Sequence, residues 1–203
     1  MMSRLATLGR INIPDAVFYP SAAALAALLI AIALMMQPRN ASAVVTEREL
    51  VFQGAALADL VNGPGTNVRF DPGHSDGPVA RASSAASFEM AGNMSAGVAA
   101  FVPDEFETRI SGRRIRVEFE VRTAGSNGPD TVRIGYFTTG YGDSGWRELP
   151  VSPRYATISF EWDAPVYEGQ EFNEAIGIWP DPQGENREIL IRRIRVFILP
   201  DNS

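Results

Sequence analysis

The stretch Asp71-Pro72-Gly73-His74-Ser75-Asp76 holds the chain's single histidine between two carboxylates. Those residue types can serve as an acid–base group or as metal ligands. The same stretch is a Pro/Gly turn in which Asp and Ser are ordinary turn formers, and the turn reading is preferred. Acid pairs stand at Asp104-Glu105, Glu118/Glu120 and Glu168/Glu171. A glycosidase needs such a pair, but the sequence fixes no separation between the carboxylates. There is no cysteine and no lysine. That removes thiolate metal sites, thiol nucleophiles, Schiff-base chemistry and a P-loop lysine. No G-x-S-x-G, H-E-x-x-H, EF-hand or dinucleotide fingerprint occurs. A non-enzyme is expected.

Aromatic rings offer a different chemistry. An exposed ring is a platform for one face of a sugar, and flanking polar side chains hydrogen-bond its hydroxyls. The segment Thr139-Gly-Tyr-Gly-Asp-Ser-Gly145 supplies a ring in Tyr141 and an acceptor in Asp143. Its glycines allow close backbone approach. Alternation turns Phe137 and Tyr155 away from the core side of their strands, and Arg133 is a nearby guanidinium able to orient a ligand. The expected ligand-binding set is therefore Tyr141, Asp143, Phe137, Tyr155 and Arg133. Trp146, Trp162 and Trp179 are expected mainly in packing. No cofactor is expected. The acidic loops Asp71–Asp76 and Asp181–Glu185 leave structural calcium open without supporting it.

The elements that must hold these residues read as strands. In Arg113–Arg122, Ile115, Val117, Phe119 and Val121 alternate with Arg114, Arg116, Glu118, Glu120 and Arg122, a period of two. Thr131–Phe137, Arg154–Trp162 and Glu188–Leu199 alternate in the same way. Together they predict a shared core of Ile115, Val117, Phe119, Val121, Val132, Ile134, Ile158, Phe160, Ile194, Val196 and Ile198. Their wet side carries Arg114, Arg116, Glu118, Glu120, Arg122, Arg133, Glu161, Arg193 and Arg195. It reads as a solvated face of ion pairs in preference to an arginine-lined groove for acidic ligands. Shorter candidate strands are Leu50–Gln53, Val68–Phe70, Val79–Ala82, Ser87–Met90, Gly97–Phe101 and Ala175–Trp179. Ala55–Val61 is a candidate short helix. Gly/Pro/Asn/Asp clusters separate these runs, and many short strands so spaced predict an antiparallel β-sandwich.

Ahead of this region, Ala16–Met36 carries no charge. Its 21 residues would span about 31 Å as a helix, close to the thickness of a bilayer's hydrocarbon core. Arg4 and Arg10 precede it, and Arg39 closely follows. The charge bias leans toward an N-terminus in the cytoplasm. An uncleaved signal anchor is favoured, with a signal peptide cleaved after Ala41-Ser42-Ala43 as the alternative. Either sends the remainder across the membrane. The expected organisation is a cytoplasmic segment 1–15, a transmembrane helix 16–36, a tether 37–47 and a periplasmic or extracellular domain 48–203. A formal charge of −6 and a pI of about 4.9 make nucleic-acid binding a poor reading.

Three segments resemble carbohydrate-binding modules of the galactose-binding-like jelly-roll type: Ile110–Arg122, Trp146–Phe160 and Gly177–Phe197. They match a glycine followed by an alternating strand, a tryptophan strand leading to a tyrosine–threonine strand, and a closing pair of strands. The resemblance covers about half of the exported region. It implies a jelly-roll sandwich without a catalytic signature, and the same fold serves many functions.

Two function classes follow. One is a membrane-anchored, non-catalytic module that binds a glycan. The other is an accessory or assembly subunit of an inner-membrane complex, whose helix docks through the small residues Ser21 to Ala24 with Ala26 and Ala27. A grooved patch with two or three rings favours the first, and a broad apolar patch favours an integral-membrane protein partner.

Overall fold

Ten residues of strict alternation make the strand that organises the first sheet. This strand, β7 (Arg114–Thr123), buries every second side chain, and Phe119 is fully buried. A computed structural model describes residues 43–138, 142–166 and 173–200. The chain divides into Met1–Arg39 and Asn40–Ser203, and the described residues belong to the second unit. The expected helix at 16–36 lies outside them. Among the described residues no helix is long and apolar enough to cross a membrane.

The first sheet holds β1 (Val44–Val45), β2 (Glu49–Gln53), β4 (Thr66–Asp71), β5 (Val79–Ser84), β7, β10 (Ala156–Asp163) and β12 (Glu188–Ile198). All its pairings are antiparallel. On one edge β12 pairs with β7, which in turn pairs with β10. On its other edge it pairs with β5 through Glu188–Ile191 and with β2 through Arg193–Phe197. The change of partner coincides with a register shift between Ile191 and Arg193. A bulge there bends the strand and leaves Arg192 as the extra residue.

The second sheet runs β3 (Val61–Asn62), β6 (Val98–Phe101), β11 (Glu174–Trp179), β8 (Thr131–Thr138), β9 (Arg147–Pro150), again antiparallel throughout. The two sheets face each other across one core. Ile115, Val117, Phe119 and Val121 of β7 and Ile194, Val196 and Ile198 of β12 meet Val132, Ile134 and Tyr136 of β8 and Ile176 and Ile178 of β11. Ile158 and Phe160 are partly buried and pack against the same cluster. The other core positions expected from alternation are in it.

The helical pieces are short. Gly54–Asp59 is a 3-10 helix, Phe88–Ala91 a single turn, and Asp104–Ile110 about two turns. The last has an acidic first turn and Arg109 in its final turn, which matches its dipole. It buries Phe106 and Ile110, and Glu107 Oε1 accepts the Glu174 N–H at 2.9 Å. The turn at Phe88 corrects the strand expected at Ser87–Met90. A short apolar run does not distinguish strand from helix by periodicity. Here tertiary contacts decide: the Phe88 N–H donates to the Pro182 carbonyl at 2.9 Å, and the ring inserts between Trp146 and Trp179.

The wet face of the first sheet is a lattice of ion pairs. Glu161 bridges Arg114 and Arg116, Arg195 reaches Glu49 and Glu118, and Glu120 faces Arg192 and Arg193. Arg133 does not belong to this face, because β8 lies in the other sheet. The hydrogen bond from Arg116 holds the Glu161 carboxyl below its ordinary value of 4.5. The hydrogen bond from Arg122 similarly lowers Asp76. A carboxyl depressed in the folded state stabilises above its unfolded pKa and loses that contribution as pH falls through the folded value. Thermal melts should therefore fall as pH drops below 4.5. Glu161→Gln should flatten that part of the curve, and an unchanged slope would show that the pair adds nothing measurable.

Candidate functional site

The outer face of the second sheet is lined by small residues. Register places Ala99, Gly177 and Gly135 in one row across β6, β11 and β8, and Phe101, Ala175 and Phe137 in the next. Backbone can lie directly on such a surface. A Cβ on Gly177 would sit 2.2 Å from the Ala96 carbonyl oxygen and 2.8 Å from the Phe137 ring, so only glycine fits there. The segment 92–97 is thus seated on the sheet beside Phe137.

The chain after β8 is pinned to the same strand. The Tyr136 N–H donates to Ser144 Oγ at 2.8 Å, the Ser144 N–H donates to the Tyr136 carbonyl at 2.9 Å, and the Thr138 N–H donates to Asp143 Oδ1 at 3.1 Å. These bonds fix Asp143 at the surface and deliver Trp146 over the sheet. Trp146 and Phe137 have ring centroids 4.8 Å apart, tilted by 55°. Phe88 meets Trp146 and the buried Trp179 edge-on, each at 5.6 Å. Arg133 lies over Phe88 at 3.9 Å from the ring centre and pairs with Glu148 at 2.8 Å.

Between the pinned loop and segment 92–97 opens a trough of about 370 Å³, with Met94, Ser95, Phe137, Asp143, Gly145 and Trp146 along it. Phe137 and Trp146 are half-buried, and Asp143 is exposed. The trough combines two tilted rings, a carboxylate, a hydroxyl and backbone of a glycine turn. That set can stack against an apolar ring face and accept hydrogen bonds from hydroxyls.

Of the residues expected from the sequence, Phe137 and Asp143 share this trough. Arg133 lies on the same sheet face but is engaged with Phe88 and Glu148. Tyr141 lies outside the described residues. Tyr155 belongs to the other sheet's face, between the guanidinium groups of Arg192 at 4.3 Å and Arg122 at 5.2 Å from its ring centre. Its enclosed hydroxyl has no well-formed hydrogen bond, and desolvation raises its pKa against the opposing pull of Arg122. Trp146, Ser95 and Met94 were not in the expected set. The signal for Trp146 was its place three residues after Asp143, in a glycine-bounded turn.

The other chemical candidates are held in structural contacts. Asp76 pairs with Arg122 at 2.9 Å, and the Asp76 N–H donates to His74 Nδ1 at 3.2 Å. Asp181 is fully buried. Its Oδ2 accepts the N–H groups of Glu185 and Arg187 at 2.8 and 3.1 Å, and its Oδ1 accepts Arg187 Nη2 at 2.8 Å and Nε at 3.2 Å. A carboxylate so occupied has no free side for calcium. Among the described residues no three His, Cys, Asp or Glu side chains are gathered as for a metal ion.

No family model matches the chain, and no curated protein matches it. Solved structures that resemble it include carbohydrate-binding modules and an α-L-arabinofuranosidase. The CBM22-1 xylan-binding domain from Paenibacillus barcinonensis Xyn10C matches at 8% identity and a TM-score of 0.47, over 68% of this chain and 85% of that one. The CBM22-1–CBM22-2 tandem of the same protein matches at 9% identity and a TM-score of 0.49, over 71% of this chain and 42% of that one. CBM6cm-2 from Cellvibrio mixtus lichenase 5A, in complex with cellotriose, matches at 11% identity and a TM-score of 0.41, over 74% of this chain and 97% of that one.

Proposed function

We propose that the β-sandwich is a non-catalytic glycan-binding module, held at a membrane by the apolar segment 16–36 with the sandwich on the periplasmic or extracellular side. The observation that carries the binding reading is the trough on the second sheet, where the Phe137 and Trp146 rings stand beside Asp143 and Ser95. A pyranose or furanose ring presents C–H bonds on its faces and hydroxyls at its rim. The rings receive the face, and Asp143, Ser95 and the Gly145 backbone receive the rim. Such a site needs no acid–base pair.

The exposed side chains of Met90 and Met94, 76% and 78% accessible, favour a second reading, a protein partner seated against the same helical turns. A glycan array probed with the full chain in detergent separates the two. The first reading expects retention on a defined set of glycans, reduced by Phe137→Ala. Failure on every glycan, with a stoichiometric integral-membrane protein in the pull-down, would replace it with the second.

A further inference from the structure

The outermost strand of a sheet offers a row of unpaired N–H and C=O groups. Folded proteins blunt such edges with short strands, prolines, bulges or inward-pointing charges. Here β1 and β3 have two residues each, β9 has four and ends in Pro150, and β4 has six and stops ahead of Pro72. The edge strand β10 is different. Its eight residues pair with β7 in one unbroken register, from Ala156 opposite Val121 to Asp163 opposite Arg114, about 27 Å of strand. It contains no proline, no bulge and no inward-pointing charge. Among the described residues its other edge pairs with nothing. Glu161 and Asp163 point outward, and Glu161 is drawn toward β7 by Arg114 and Arg116.

The inward side chains of β10 are incompletely covered. Ile158, Phe160 and Trp162 are only partly buried, as are Leu149 of β9 and Val151 just after it. Together they form an apolar strip where the two sheets end side by side. A long regular edge above such a strip is a template for another strand.

The sequence of β10 is complementary to itself. Let a second copy pair antiparallel about a two-fold axis through Phe160. Thr157 then stands opposite Asp163, Ser159 opposite Glu161, Ile158 opposite Trp162, and Phe160 opposite Phe160. Each acid meets a hydroxyl and each apolar side chain an apolar one, so no like charges face each other. An axis through Glu161 would set two carboxylates together. A two-fold pairing of this kind uses up both edges and closes the assembly at two copies.

We propose that β10 is a dimerisation edge, at which two copies of the chain pair antiparallel and join their first sheets into one.

The test is sedimentation and hydrogen exchange of the full chain in detergent over a range of protein concentrations. A monomer–dimer equilibrium is expected, with the Thr157–Asp163 amides exchanging more slowly in the dimer. Ser159 is exposed, so its variants should leave the melting temperature of the monomer unchanged. Ser159→Glu sets a carboxylate against Glu161 of the second copy, twice over by symmetry, and should weaken the dimer about tenfold. Ser159→Arg should tighten it by a similar factor, a gain that misfolding cannot imitate. A dimer indifferent to both variants is held elsewhere, as through segment 16–36, and would overturn the proposal. A monomer at every concentration would overturn it too. Fast exchange in β10 of that monomer would leave the edge to a strand of another protein, and slow exchange would mean that a segment of this chain covers it.

Discussion

Phe119→Ala should lower the unfolding free energy of the sandwich by about 3–5 kcal/mol. Phe119 is fully buried at the middle of β7. Across the ladders it stands opposite Ile158 of β10 on one side and Ile194 of β12 on the other. Removing the ring leaves a cavity beside β7 and β12, strands hydrogen-bonded on both edges, which cannot collapse into it. Denaturant melts of wild type and variant check this. A loss below about 1 kcal/mol would mean that the two sheets close over the gap, contrary to the close packing of cores.

Asp181→Ala should cost a similar amount, about 3–5 kcal/mol. Asp181 is fully enclosed, and its partner Arg187 has a side chain only 14% exposed. The Asp181 hydrogen bonds raise the Arg187 pKa, as expected for a guanidinium held against a buried carboxylate. The substitution takes the buried carboxylate from that cation, leaving it Glu185 at 3.4 Å and Gln183 toward the surface, and leaves two backbone N–H groups unpaired in the turn between β11 and β12. The turn also carries the Asp181 carbonyl that accepts Trp179 Nε1 at 3.2 Å, and the Pro182 carbonyl that accepts the Phe88 N–H. Loosening it should thus disorder the aromatic cluster behind the trough. Near-ultraviolet circular dichroism would show this as lost tryptophan ellipticity. Asp181→Asn, which keeps the shape, should cost less than Asp181→Ala, and equal losses would count against the charge-pair account.

The strands were legible because one buried face and one wet face leave a period-two trace, clearest in β7. The trace gives a side chain's face relative to its own strand, but it does not say which sheet the strand joins. That is why Arg133 grouped with the arginines of β7 and β12, although β8 sits in the opposite sheet. The same blindness placed Tyr155 with Phe137 and Asp143. Both aromatic residues do turn outward, from different sheets. Among the described residues of the expected set, Phe137 and Asp143 lie together, since they are six residues apart on one strand and its following loop. Trp146 and segment 92–97 were missed as partners because nothing local links them. Their meeting depends on the small residues Gly135, Gly177 and Ala99, which let distant backbone settle on the sheet. The turn at Phe88 was misread for the same reason, its conformation being imposed by Trp146, Trp179 and Pro182.

The measurement that bears most directly on glycan binding in this trough is a calorimetric titration of the full chain with the oligosaccharide best retained on the array. Wild type should bind. Trp146→Ala should weaken binding by about 1.5 kcal/mol, roughly tenfold in Kd. Asp143→Asn should weaken it with little change in melting temperature, and Tyr155→Ala, on the other sheet, should leave it unchanged. Binding that survives Trp146→Ala and Asp143→Asn intact, or that is lost with Tyr155→Ala, would contradict the site assigned here.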